Sequence, residues 1–208
     1  MNEPLALEIT APPAISRNSA KREAELWATL QHIILSDGFA RLSVSEMAQR
    51  LGCSKRTIYE LAPTKNDLVL RVITMFFEQL RAEADVESMS DDDPAVQIFE
   101  YLQVGVRAAQ RLGPIAIADI DKWEPARRIW QEHIRLRVEG LRNLIERGVE
   151  TGNFRDINPA LVAEMVFAGL SRLREPDFYR STGISASEAF EQYYKMLLYA
   201  LVEKDSAL

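Results

Sequence analysis

Eight of the side chains between positions 43 and 65 are candidates to bind a polyanion. They are the hydroxyls of Ser43, Ser45, Ser54 and Thr57, the cations of Lys55, Arg56 and Lys65, and the phenol of Tyr59. Hydroxyls and the exposed N–H groups of a helix start suit phosphate oxygens. An arginine fork reads guanine through two parallel hydrogen bonds, worth about 1–3 kcal/mol of discrimination. Arg56 is therefore the candidate base reader. Ser43, Ser45 and the helix starts at Ser54 and Thr64 are candidate phosphate contacts, Lys65 adds charge, and the ring of Tyr59 can lie along a sugar-phosphate chain.

Other chemistries are poorly provided for. Catalysis needs a nucleophile with its base, or titratable groups converging on a pocket, and the sequence offers no Ser/Cys–His pairing, no metal-ligand spacing and no glycine-rich phosphate loop. No catalytic residue, cofactor or metal is expected. The single Cys53 excludes an intramolecular disulfide and reads as a small buried hydrophobe, while His32 and His133 stand far apart. Glu3 and Glu8 sit where a secretory signal would be basic, and no window approaches eighteen uninterrupted apolar residues. The expectation is a cytoplasmic chain without a membrane span.

A net charge of −6 on 208 residues argues at first against a nucleic-acid partner. The average hides an asymmetry, because residues 15–66 hold eight Lys/Arg against five Asp/Glu and the acidity lies elsewhere. A small basic unit on a larger acidic one fits a local contact with DNA.

The elements that must position these side chains are short helices. Apolar residues recur at three and four positions nearly everywhere after residue 19, and strand-like alternation is absent, which predicts an all-α chain. A first helix is expected over 19–37, burying Leu26, Leu30, Ile33 and Ile34 and capped by Gly38. Ser43-Val44-Ser45-Glu46 is a capping box for a second helix that ends at Gly52. Ser54 caps a third over 55–62, stopped by Pro63, and Thr64 caps a fourth over 65–84. Two capped short helices and a tight turn form a helix-turn-helix, whose second helix enters the major groove of DNA. A helical hairpin with a solvated polar face is the plain alternative. Against it stand Met47, Ala48, Leu51 and Ile58, which face one core.

Farther on, an acidic loop is expected at 87–93, then helices over 94–111, 114–120, 125–151, 159–174 and 185–202, with Glu175-Pro176 closing the penultimate one. The organisation predicted is a disordered arm over 1–16, a three-helix DNA-binding domain over 17–66 and a larger helical domain over 67–208.

From about residue 22 to 70 the sequence resembles the DNA-binding domain of the TetR family, the tetracycline-repressor-like bacterial regulators. The resemblance runs through Gly38-Phe39, Ser43-Val44, Met47-Ala48, Gly52-Cys53-Ser54-Lys55, Thr57-Ile58-Tyr59 and Thr64-Lys65. It departs at Leu61 and Ala62, where the family usually carries histidine and phenylalanine. That departure predicts looser packing between the third and fourth helices, unless it is compensated, and one backbone contact fewer. The layout from Ile145 to Gly148, Gly152-Asn153-Phe154-Arg155, Asn158-Pro159 and two final amphipathic helices is similar to the family's C-terminal half.

The resemblance implies a homodimer on a palindromic double-stranded DNA operator, most simply a repressor, released by a small-molecule effector that shifts the fourth helix. It implies dimerisation through the last two helices. The apolar Met165, Leu170, Leu173, Phe190, Tyr194, Leu197, Leu198 and Leu201 support this, or else close the chain's own core. It also implies an effector pocket between the central helices, for which Phe99, Tyr101, Trp123, Trp130 and Phe167 are candidate lining and His133 a candidate polar anchor; a largely apolar effector would suit them. Asp119, Asp121 and Glu124 read as a solvated corner. A helical adaptor with a degenerate DNA-binding domain is the alternative function, suggested by Leu61-Ala62 and the net acidity.

Overall fold

The computed structural model of the chain describes residues 17–89, 93–173 and 175–202. The expected arm at 1–16, the acidic run at 90–92 and Arg174 lie outside them. Among the described residues there are ten α-helices and no strand: α1 (Arg17–Asp37), α2 (Val44–Arg50), α3 (Lys55–Leu61), α4 (Lys65–Ser88), α5 (Pro94–Arg111), α6 (Pro114–Lys122), α7 (Glu124–Glu150), α8 (Pro159–Arg172), α9 (Pro176–Thr182) and α10 (Ala186–Leu201). No helix among them is long and apolar enough to cross a membrane.

Helix starts follow their caps. The hydroxyls of Ser43, Ser54, Thr64 and Ser185 each accept the backbone N–H three residues on, and Pro94, Pro114, Pro125 and Pro159 occupy first-turn positions where a missing N–H costs nothing. Gly38 ends α1 with φ +83°, a conformation that side chains with a Cβ rarely adopt.

Helix α4 runs through the middle. Leu68, Val69, Val72, Ile73, Phe76, Phe77, Leu80 and Ala84 are all buried along it, packed against α1, α5 and α7. Each such large apolar side chain contributes about 1.5–3 kcal/mol by leaving water. One continuous core thus extends from Leu30, Met47 and Ile58 at the N-terminal end to Leu141, Ile145 and Val166 at the other.

Two expectations need correcting. Helix α4 continues past residue 84 to Ser88, absorbing the start of the expected acidic loop, because Arg107 of α5 bonds Glu83 at 3.5 Å and Glu87 at 2.5 Å across the α4–α5 seam. Pro176 opens a short helix, α9, where only the end of a preceding one was expected; proline is pre-organised for a first helical turn.

Candidate nucleic-acid interface

Helices α2 and α3 pack at an angle around Met47, Ala48 and Ile58, all buried, and so turn their polar sides outward. Ser43 and Glu46 form the full capping box. The Ser43 N–H and hydroxyl both donate to Glu46 Oε2, at 2.7 and 2.6 Å, and the Glu46 N–H donates to Ser43 Oγ at 3.2 Å. These bonds hold the Glu46 carboxyl below its ordinary pKa. The Thr57 N–H donates to Ser54 Oγ at 3.1 Å and the two hydroxyls lie 3.0 Å apart. Ser43, Ser54 and Thr57 thereby spend bonding capacity on shaping the helix starts, which leaves backbone N–H groups and exposed faces for a ligand.

Lys55 and Arg56 project from the first turn of α3, and Tyr59 is 52% exposed on the same helix. Ser45 is exposed on α2. Arg56 pairs within α3, its Nε donating to Glu60 Oε1 at 3.0 Å. Glu60 is a neighbour that the reading by residue type passed over, although its i+4 spacing announces the pair. Lys65 is half-buried and donates to the carbonyl of Ala40 at 3.2 Å, so it braces the loop before α2 as well as carrying charge. Arg41 adds an exposed cation in that loop. At the Leu61-Ala62 departure the third and fourth helices are still packed together. Ala62 is buried, Leu61 packs against the core, and Arg71 of α4 donates to the Leu61 carbonyl at 3.0 Å while its guanidinium lies 4.6 Å from the centre of the Trp27 ring.

Asp119 is not a solvated corner. It is half-buried, and its Oδ2 accepts the backbone N–H groups of both Phe39 and Ala40 at 2.8 Å. A carboxylate beside two converging amide donors, on the inner side of α6, takes their dipoles in place of water.

The six candidate effector residues lie at several places in the larger unit. Phe99 packs on Tyr194 with centroids 4.6 Å apart, Trp123 on Phe39 at 5.7 Å, and Phe167 lies in the core at the α7–α8 side. Trp130 and His133 both meet Phe77, at 5.3 and 4.4 Å, and His133 Nδ1 is 3.3 Å from Arg81. Beside them Tyr101 and buried Arg137 clasp α5 to α7. The phenol donates to the Arg137 carbonyl at 2.8 Å, the guanidinium donates to the Tyr101 carbonyl at 2.6 Å, and the guanidinium carbon stands 3.9 Å from the ring centre. Tyr101 borders a cleft, about 450 Å³, that opens between α4 and α7 beside Asp85, Ser88, Gly140 and Arg147. Its lining mixes the polar Asp85, Ser88 and Arg147 with the apolar Met89 and Leu144. A second cleft of about 370 Å³, bordered by Leu173, Phe178, Tyr193 and Met196, lies among α8, α9 and α10. Among the described residues no His/Cys/Asp/Glu group has the arrangement of a metal site.

The proposed dimer residues divide. Leu197 and Leu201 are buried in the chain's own core, Leu170, Leu173, Phe190, Tyr194 and Leu198 are half-buried, and Met165 is 63% exposed. The outward apolar face is extended by Leu161, Met196 and Tyr199, which sequence reading missed although 161/165 and 196/199 are spaced as one helix face. The Tyr193 hydroxyl seats α10 on α8 through the carbonyls of Met165 and Val166, each at 3.0 Å.

No family model matches the chain. An uncharacterized HTH-type transcriptional regulator of Bacillus subtilis, YvaF, is 22% identical over 181 residues, spanning 84% of this chain and 93% of that protein. Among solved structures, a TetR-family transcriptional regulator from Cytophaga hutchinsonii superposes with a TM-score of 0.71 at 16% identity, covering 92% of this chain and all (100%) of that one. A protein from Saccharomonospora viridis in complex with choline gives 0.73 at 16% identity, covering 89% of this chain and 100% of that one. NemR of Escherichia coli gives 0.70 at 14%, covering 89% and 100%. The fold is that of TetR-family transcriptional regulators.

Proposed function

We propose that this chain is a transcriptional regulator that binds a palindromic DNA operator as a homodimer, acts as a repressor, and lets go when a small-molecule effector occupies its larger helical unit. The observation that carries the reading is the outer face of α3, where Lys55, Arg56 and Tyr59 stand exposed on a helix anchored from behind by Ile58 and preceded by the capped α2. Ser43, Ser45, Ser54, Thr57 and Lys65 flank that face at helix starts, where N–H groups and the helix dipole favour phosphate. The DNA-binding unit is taken as 17–66 and the remainder as the effector and dimerisation unit, with α4 shared between their cores. The burial of Ala62 and the Arg71 bond to the Leu61 carbonyl favour this reading over the adaptor alternative, because α3 stays seated on α4 despite the departure.

A protein of the same fold is in complex with choline, which supports a small-molecule effector. The cleft beside Tyr101 is the proposed entrance, because it touches α4 at Asp85 and Ser88, and the same helix begins at the phosphate-facing Thr64 and Lys65. An effector there would tilt α4 and change the spacing of two recognition helices, so that they no longer match successive major grooves.

The test is binding to the DNA upstream of the chain's own coding sequence, measured across salt concentrations. Binding should weaken steeply as salt rises, as counterion release requires, and Arg56→Ala or Tyr59→Ala should weaken it further. Absence of binding at low salt, or indifference to both substitutions, overturns the reading.

A further inference from the structure

The loop that leads into the helix-turn-helix is held from the body of the molecule. Oδ2 of Asp119, on α6, takes the N–H groups of Phe39 and Ala40, and the carbonyl of that same Ala40 takes the Lys65 ammonium from the first turn of α4. Around this bond the two units approach with little spare room. A Cβ on Gly38 would stand 2.7 Å from the Asp119 carboxylate and 2.6 Å from Ile115, and the Gly113 N–H donates to the Leu35 carbonyl at 2.7 Å. A Cβ on Gly113 would come within 1.9 Å of the Ser36 carbonyl oxygen. Trp123, just past α6, covers Phe39 with centroids 5.7 Å apart.

We infer that Asp119 is a positioning residue that locks the α1–α2 loop onto α6, giving the body of the molecule a hold on the DNA-binding unit in addition to α4. Helix α1 already rests on α6 and α5, and the Asp119 bonds carry that contact past its C-terminus into the loop. This attachment helps to fix the direction of the unit, and the Ala40 peptide joins the two holds into one path from α6 to the start of α4. On the regulator reading above, on which its purpose rests, a movement of α6 is then transmitted to the recognition helices as directly as a movement of α4.

The experiment uses the free, full-length protein without DNA, so that its result is separate from whether the chain binds an operator. Amide hydrogen exchange is followed in wild type, Asp119→Ala and Asp119→Asn. A spin-label distance between Gln49→Cys on α2 and Arg142→Cys on α7 is measured in each, on a Cys53→Ser background. In Asp119→Ala, exchange of the Phe39 and Ala40 amides should quicken by about tenfold or more while that of α8 and α10 is unchanged, and the distance distribution should broaden. Asp119→Asn, whose side-chain carbonyl still accepts, should restore much of both. Unchanged exchange at Phe39 and Ala40, or an unchanged distance distribution, overturns the proposal. So does a uniform quickening across all helices, which would make Asp119 a general stabiliser rather than a tether.

Discussion

Arg56 leaves the first turn of α3 already paired with Glu60, and the pair is exposed on both sides. An exposed i,i+4 pair contributes only a few tenths of a kcal/mol to the helix, so DNA can open it at little cost. Glu60 nevertheless brings a negative charge to the face where phosphates are expected. Replacing it by glutamine should raise affinity for DNA of any sequence several-fold at low salt, by removing one repulsion and releasing Arg56. A fluorescence-anisotropy titration on specific and scrambled duplexes reads this directly; equal or weaker binding by Glu60→Gln would place Glu60 away from the DNA. Arg56→Ala should instead lose about 1–3 kcal/mol on the specific duplex and less on the scrambled one, since a base contact is worth that only on the right base.

At the scale of elements, the short α2 depends on its ends. Seven residues cannot sustain a helix alone, so the Ser43–Glu46 box and the packing of Met47 and Ala48 share the work. Ser43→Ala should lower stability by about 1 kcal/mol, seen as a lower midpoint in urea. The pH dependence has a definite sign. The Glu46 carboxyl titrates below its unfolded value of 4.5, so its contribution is complete above that value and disappears as the pH falls through the lower folded pKa. Acid should therefore loosen α2 in the wild type, and Ser43→Ala should flatten that dependence; backbone NMR shifts of residues 43–50 would follow it. Such starts are legible in the sequence because a cap is local chemistry: Ser43 with Glu46, Ser54 and Thr64 each stand where the helices begin. The last turn of α4 is not, because its one large apolar residue, Val86, is 72% exposed and marks no buried face, while Glu83 and Glu87 are held by Arg107 from another helix. The polar face of α3 was readable from residue types, whereas the role of Asp119 depends on an amide 80 positions away, which no local pattern encodes. The aromatic residues of the larger unit are less legible for a related reason, since Phe99, Trp123 and Phe167 each pack on partners far away in sequence, which residue type alone does not announce.

For the whole molecule, the proposed homodimer would have its seam on the outward face of α8 and α10. Met165, Met196 and Tyr199 are each more than half exposed there, and an isologous contact would bury them against their own counterparts. Met196→Glu should convert a dimer to a monomer in sedimentation velocity and abolish tight operator binding while leaving the helical content intact; a variant that still sediments as wild type would move the dimer seam elsewhere. Alkaline titration probes the same end. Burial raises the Tyr193 and Tyr194 phenols to about 12, against an ordinary value of 10.0. They stay protonated longer in the folded chain than in the unfolded one, so their contribution is complete below about pH 10 and is lost as the pH rises through about 12. Tyr193→Phe, which removes the phenol that holds α10 on α8, should lower stability at neutral pH and blunt that alkaline loss. At the opposite end, the close passage of Gly113 over the Ser36 carbonyl has a practical consequence for anyone building chimeric proteins from this scaffold. A foreign DNA-reading head spliced in at the start of α4 would meet a body moulded to its own α1 terminus, so a working graft has to exchange residues 35–40 and 113–123 together as one cassette.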